Sequence, residues 1–270
     1  MHNLRYVNNM NEVIDFNSIS VVMDLAEIFS HEWQEETLYN KIISFKKKTN
    51  TYSVPIFLKG SDAYSKAEKI LNIIEKDIIS KTPGMLQYGD WYLPGYFTSK
   101  KTMGFYKCSN SIRLTLGFVT DAEKWCREYK YTYRINDVAI EERGLGYAYS
   151  YPYDFLSSIN TQNAYNYSDV ESDFILQIYG PAINPEVTVG ENIYKVDTEL
   201  YRNEHLVINT KKKTIIRTTS KGEKINEYAK RSLENYIFQK IPSGMSIVTV
   251  TPNCNFDIVV IEERSEPQWI

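Results

Sequence analysis

Eight short apolar runs in the second half of this 270-residue chain constrain its fold more than any other feature. They fall at residues 173–179, 186–189, 192–198, 205–210, 214–219, 235–239, 245–251 and 256–262. Turn signals separate them at Gly180-Pro181, Val189-Gly190-Glu191, Asn209-Thr210-Lys211 and Ser220-Lys221-Gly222. Short strands at that spacing predict a β-sandwich, because each alternating strand has one face that must be covered by a second sheet. The closing stretch "IPSGMSIVTVTPNCNFDIVVIEERSEPQW" (241–269) reads as a β-hairpin. Its strands run from Met245 to Thr251 and from Phe256 to Ile261, broken at Thr251-Pro252-Asn253-Cys254-Asn255 and followed by Glu262-Glu263-Arg264 and Trp269. Only "GEKINEYAKRSLENY" (222–236) is ambiguous there, with room for a helical turn.

The first half mixes periods. "SDAYSKAEKILNIIEKDIIS" (61–80) is predicted as a helix, with Ala63, Ala67, Ile70, Leu71, Ile74 and Ile78 along one face and Lys66, Lys69, Lys76 and Asp77 elsewhere. Ser61 is the expected N-cap, and Thr82-Pro83-Gly84 the stop. Strands are predicted before it at 52–60 and after it on both sides of a Tyr88-Gly89-Asp90 turn. "SIRLTLGFVT" (111–120) and "KWCREYKYTYRI" (124–135) then alternate with period two. Between the halves, residues 136–168 are rich in Gly, Asn, Ser and Tyr and keep no period, as a connection would. The expected class is mainly β: an α+β domain over residues 1–140 with one principal helix, a linker over 141–168, and a β-sandwich over 169–270.

Composition narrows the function. A formal net charge of −3 gives no electrostatic footprint for nucleic acid. The three cysteines, Cys108, Cys126 and Cys254, form neither a CxxC nor a disulfide framework, and Cys126 and Cys254 are expected to pack in apolar surroundings. The N-terminus has no apolar signal-peptide core, and no apolar stretch approaches the roughly 20 residues of a membrane span.

The side chains that could carry chemistry do not assemble into a known pattern. "HEWQEE" (31–36) lacks the second histidine of a zinc motif; Glu35 stands at that position, and the other histidines are His2 and His205. "PSGMS" (242–246) lacks the first glycine of a nucleophile elbow. The neighbouring carboxylates Glu141-Glu142 and Glu262-Glu263 point to opposite faces if they sit on strands. Lys46-Lys47-Lys48 and Lys211-Lys212-Lys213 read as turns rather than phosphate sites. The tyrosine-rich "GYAYSYPYDF" (146–155) could stack sugar rings or bases, but fits an interdomain or intersubunit packing segment better. The expectation is therefore a non-enzyme, with no catalytic, cofactor-binding or metal-binding residue assigned and no cofactor.

Several strings resemble one family. "FILQIYGPAINPEVTV" (174–189), with Gly180-Pro181 and Asn184-Pro185, resembles a strand and turn of the distal tail proteins of long-tailed bacteriophages. "HLVINTKKKTIIRTTSKGEKIN" (205–226) resembles their next hairpin, "IPSGMSIVTV" (241–250) their penultimate strand, and "YAYSYPYDF" the segment before the second domain. "GMLQYGDWYLPGYFTS" (84–99) is similar, more loosely, to the strand pair after their helix. The resemblance implies a structural baseplate hub whose N-terminal domain forms a homo-hexameric ring continuing the tail tube. Its C-terminal domain would be a galectin-like sandwich. The implied partners are further copies, the tail tube protein and the tail-tip proteins, with no specific nucleic acid and no membrane. The implied place is the virion, after synthesis in the bacterial host cytoplasm. A carbohydrate- or receptor-binding tail-tip protein is the alternative.

Overall fold

The computed structural model describes residues 4–16, 26–47, 50–134, 162–251 and 254–268. It is mainly β, with one α-helix among the described residues. The chain divides into two compact units, the first comprising residues 1–127 and 263–270 and the second residues 128–262. The expected linker at 141–168 lies mostly outside the described residues, but its end is a strand from Gln162 to Asn166.

In the first unit, β1 (Leu4–Val7) lies between β2 (Val13–Asp15) and β6 (Gly84–Tyr88). β6 turns through Gly89-Asp90 into the 16-residue β7 (Trp91–Tyr106). The start of β7 faces β6 on one side and meets Cys126 through Tyr92 on the other, and its remainder faces β8 (Ser111–Thr120). Register shifts at Phe97/Ser99 and Thr102/Gly104 bend it along β8. β8 also pairs along its whole length with β5 (Asn50–Lys59). β8 alternates as expected, with Ile112, Leu114, Leu116 and Phe118 facing inward, and β5 alternates too, with Tyr52, Val54, Ile56 and Leu58 inward. β3 (Trp33–Leu38) and β4 (Lys41–Lys47) form a separate two-stranded ribbon, so Lys46 and Lys47 belong to a strand and not to the expected turn.

The helix α1 runs from Ala63 to Ser80, within the predicted span. Ala63, Ala67, Ile70 and Ile74 are buried as expected. The stripe is rotated from the prediction at its C-terminal end, where Ile73 and Asp77 are buried, Leu71 is half-buried and Ile78 is 45% exposed. A buried aspartate on an apolar face needs partners, and Asp77 has two: it accepts the Tyr6 hydroxyl at 2.5 Å and the Asn9 backbone N–H at 2.9 Å. The N-cap is Asp62, not Ser61, and it makes no side-chain cap bond. Lys81, in the left-handed conformation (φ 54°), ends the helix by donating its N–H to the carbonyls of Asp77 and Ile78. Gly84 has a different task from the one expected. It starts β6 where a Cβ would collide with the Tyr6 hydroxyl and come within 2.6 Å of Asp77 Oδ2.

β9 (Trp125–Tyr133) carries the chain from the first unit into the second. There, one sheet follows the order β18 (Lys224–Asn226), β17 (Thr214–Thr218), β16 (His205–Asn209), β11 (Phe174–Tyr179), β20 (Phe256–Arg264) and β9. A second sheet follows the order β10 (Gln162–Asn166), β19 (Gly244–Thr251), β13 (Glu186–Val189) and β14 (Asn192–Lys195). Phe174, Leu176, Ile178, Leu206, Ile208, Ile258 and Val260 from the first share one core with Ala164, Val187, Val189, Tyr194 and Val248 from the second. This is a sandwich. β12 (Ala182–Ile183) and β15 (Glu199–Leu200) add a short pair.

Two predictions within this unit need correction. The apolar runs 245–251 and 256–262 are strands, but they do not form a hairpin. β19 pairs with β10 and β13, whereas β20 pairs with β11, so the chain changes sheets between them. Their burial explains it: β19 is half exposed, but β20 is buried on both faces over most of its length. Residues 235–239 are not a strand; Ile237 and Phe238 are buried from an irregular segment. The ambiguous 222–236 holds β18 and a single 3₁₀ turn, Tyr228–Lys230.

Candidate assembly surface

Among the described residues, those weighed for chemistry stay apart. His31 lies 3.6 Å from Glu266, while Glu35 is on β3. Ser243 donates to the Ser168 carbonyl at 2.6 Å. Cys126 and Cys254 are buried as expected and Cys108 is exposed; burial pushes the Cys254 thiol up to about 11, away from thiolate chemistry. The adjacent Glu262 and Glu263 part as predicted: Glu262 accepts the Tyr129 hydroxyl at 2.9 Å, and Glu263 faces Lys124 at 3.9 Å. Among the described residues, no three His, Cys, Asp or Glu side chains are grouped to hold a metal, and no helix is long and apolar enough to cross a membrane. Lys211-Lys212-Lys213 is a turn between β16 and β17, as expected. Glu141-Glu142, Lys48, "GYAYSYPYDF" and Trp269 lie outside the described residues.

What the first unit offers instead is a surface. Tyr39 (φ 47°) and Asn40 (φ 59°) form the two-residue turn of the β3–β4 ribbon, both in the left-handed region that such turns demand. Ile43 is the extra residue of a bulge, since Glu36 faces Ser44 while Thr37 faces Ile42. Ser44 donates to Glu36 across the ribbon at 2.6 Å. A ribbon of two strands has no second layer, so its apolar side chains stay open: Leu38, Ile42, Ile43 and Phe45 are more than half exposed, and Tyr39 is 92% exposed. Elsewhere in the unit, the outer end of β7 leaves Met103, Phe105 and Tyr106 more than half exposed. A lone two-stranded ribbon is marginal in water, and grouped exposed apolar side chains mark a surface meant to be covered. The sequence carried a signal for this ribbon in "TLYNKII" (37–43), a turn pair between apolar residues, although no strand was expected there.

The second unit has ordinary ion-pair clusters. Asp257 is nearly fully buried and is met by Lys130 at 2.9 Å, Arg134 at 3.1 Å and the Tyr179 hydroxyl at 2.8 Å. Burial alone would raise its pKa, but these partners outweigh burial and hold it below the ordinary carboxylate range. Glu227 is likewise lowered: burial opposes ionisation, and Lys230 and Arg217, both at 2.8 Å, overcome it. These pairs hold Asp257 and Glu227 in the ionised form.

No protein-family model and no curated protein matches the sequence. Solved structures do match its fold. One is the Dit protein of phage SPP1, described as a paradigm of the hub of the adsorption apparatus in phages infecting Gram-positive bacteria. The match has a TM-score of 0.59 at 10% identity, over 98% of this chain and 99% of that one. A chain of the phage P2 baseplate in its activated conformation with Ca gives a TM-score of 0.60 at 12% identity, over 98% and 99%. A chain of the same baseplate with Sr gives 0.61 at 12% identity, over 99% and 100%. From end to end, this chain has the fold of the phage Dit and baseplate proteins, the fold that its turn motifs led one to expect.

Proposed function

We propose that the chain is a structural phage tail protein: a distal tail hub that forms a ring joining the tail tube to the tail tip. The observation that carries this reading is the extent of the likeness, which takes in both units and leaves almost nothing of either chain unmatched. The exposed β3–β4 ribbon supports it, because a ring supplies a neighbouring copy to cover those side chains. The ring-forming part is then the first unit, residues 1–127 with 263–270, in place of the expected 1–140, and the sandwich of the second unit takes no part in ring formation. Its partners are other copies, six to the ring, together with the tail tube and tail-tip or baseplate proteins. It works in the virion, is made in the host cytoplasm and has no enzymatic role. A non-basic chain suits a tube through which DNA slides without sticking.

Size-exclusion chromatography with light scattering tests this directly. A species six times the 31.5 kDa chain mass supports the hub. A monomer at all concentrations removes it. A second reading, a carbohydrate-binding tail-tip protein, draws support from Tyr129, Tyr165 and Tyr167. Their rings lie 4.6 Å apart in two successive pairs, with Tyr165 and Tyr167 exposed. A glycan array separates that reading from a purely structural role.

A further inference from the structure

The second unit contains an open cleft of about 780 Å³, lined by Arg134, Tyr179, Gly180, Arg202, Glu204 and His205, among others. Its walls are pinned by backbone bonds. The Tyr179 N–H donates to the Asn255 carbonyl and the Gly180 N–H to the Glu204 carbonyl, both at 2.9 Å. Gly180 lies so close to the Tyr201 carbonyl that a Cβ would collide with it. Arg202 sits in a tight turn closed at both ends: the Glu204 N–H donates to the Tyr201 carbonyl at 3.0 Å, and the Tyr201 N–H to Glu204 Oε2 at 3.1 Å. Asn203 takes the left-handed conformation (φ 66°) that the turn requires. Arg202 is thus presented by a fixed loop, although its own side chain is exposed.

The charges around the cleft do not balance. Glu204, the carboxylate in the lining, and Asp257, the partner of the lining Arg134, are both engaged. Glu204 Oε2 takes Arg217 at 3.1 Å as well as the turn N–H. Asp257 Oδ1 takes Arg134, and Oδ2 takes Lys130 and the Tyr179 hydroxyl. On the cationic side, Arg202 has no ion pair or hydrogen bond among the described residues. Arg134 uses Nη1 for its bonds to Asp257 and the Tyr133 carbonyl, its guanidinium carbon lies 5.3 Å from the centroid of the Tyr179 ring, and its other N–H groups have no hydrogen bond among the described residues. In a chain of net charge −3, a rigid cleft with satisfied carboxylates and unspent guanidinium donors is built to receive negative charge.

We propose that this cleft binds an oxyanion, a phosphate or carboxylate group, held between Arg202 and the free edge of Arg134. The Tyr179 and His205 rings, 6.3 Å apart, flank the carbon skeleton that carries the anion. The inference is independent of the ring: it concerns the second unit alone and survives if the chain proves monomeric.

The test is isothermal titration calorimetry of the full chain with inorganic phosphate at low ionic strength, where such contacts are least screened. Saturable binding of one phosphate per chain is expected. Arg202→Ala should weaken it about tenfold or more, as the loss of a charge-assisted bond requires. Lys224→Ala, on the exposed strand β18, should leave it unchanged. Glycerol phosphate and glucuronate identify the source: saturable binding of either supports the site, and the tighter one names the group. Heats that never saturate with any of the three probes, or equal affinity in Arg202→Ala, overturn the proposal.

Discussion

Tyr6, Asp77 and Gly84 show what a single buried carboxylate does in the first unit. Burial, and then the hydrogen bond to Asp77, raise the Tyr6 pKa far above the ordinary phenol range, so Tyr6 remains a donor at every working pH. It ties β1 to α1, and Gly84 provides the space that the hydroxyl occupies. Tyr6→Phe should cost about 1–3 kcal/mol, because Asp77 Oδ2 is left buried without its donor. Gly84→Ala should cost a similar amount, about 1–3 kcal/mol, by overpacking the same point. Urea denaturation of the two variants measures both. The lowered Asp257 and Glu227 predict an acid dependence whose sign is fixed. A depressed carboxylate stabilises the fold above its unfolded pKa, about 4 for these types, and loses that contribution as pH falls through the lower folded value. The melting temperature should therefore fall between about pH 5 and pH 3, and Asp257→Asn should flatten that slope in calorimetry. None of these partnerships was legible in the sequence. Asp77 belongs to the charged side of the helix by composition, and only the strand that packs on it, 71 residues away in the chain, reverses that assignment.

At the scale of elements, periodicity told most where one face is buried and the other is open. β8 and the start of α1 are of this kind, and their inward residues were read correctly. The end of α1 separates the two readings of its stripe. Ile74→Asp places an unpaired charge in the core and should cost on the order of 4 kcal/mol. Ile78→Asp, at an exposed position, should stay within about 0.5 kcal/mol. Equal effects in thermal melts would show that the face is not as described. Periodicity failed for β19 and β20, since two adjacent apolar runs look alike whether they pair with each other or with opposite sheets. The β3–β4 ribbon yields a prediction about assembly. Phe45 is 62% exposed, so Phe45→Lys should leave the melting temperature of the isolated chain unchanged. In light scattering the same variant should shift the ring toward monomer, because a desolvated lysine opposes closure. A variant that keeps its ring would move the interface elsewhere, to the outer end of β7 first.

The whole molecule raises the question of which unit can stand alone, and the two cores answer it differently from the order of the chain. The core of the second unit draws every member from Tyr133 to Val260, inside one continuous segment, 128–262. The core of the first draws every member from Leu4 to Trp125, although that unit also includes residues 263–270. Apart from the buried Pro267, what the returning segment contributes there is a set of part-exposed charged contacts: Glu263 with Lys124, Glu266 with His31, and Arg264 over the Trp91 ring at 5.9 Å. Surface pairs of this kind are worth about 0–1 kcal/mol each, so their loss should not unfold a unit with a complete core. The sequence-derived boundary in the aperiodic stretch 136–168 would cut elsewhere. A fragment starting at residue 165 would begin inside β10 and lack the Tyr133 and Ala164 core positions. Residues 128–262 are therefore expected to fold cooperatively and remain monomeric, with the exposed edge strand β18 carrying a lysine that discourages pairing. Residues 1–127 are expected to fold and to self-associate through the ribbon that they contain. Light scattering and calorimetry on the two fragments decide it. An oligomeric 128–262 beside a monomeric 1–127 would transfer the ring to the sandwich and take the hub reading with it.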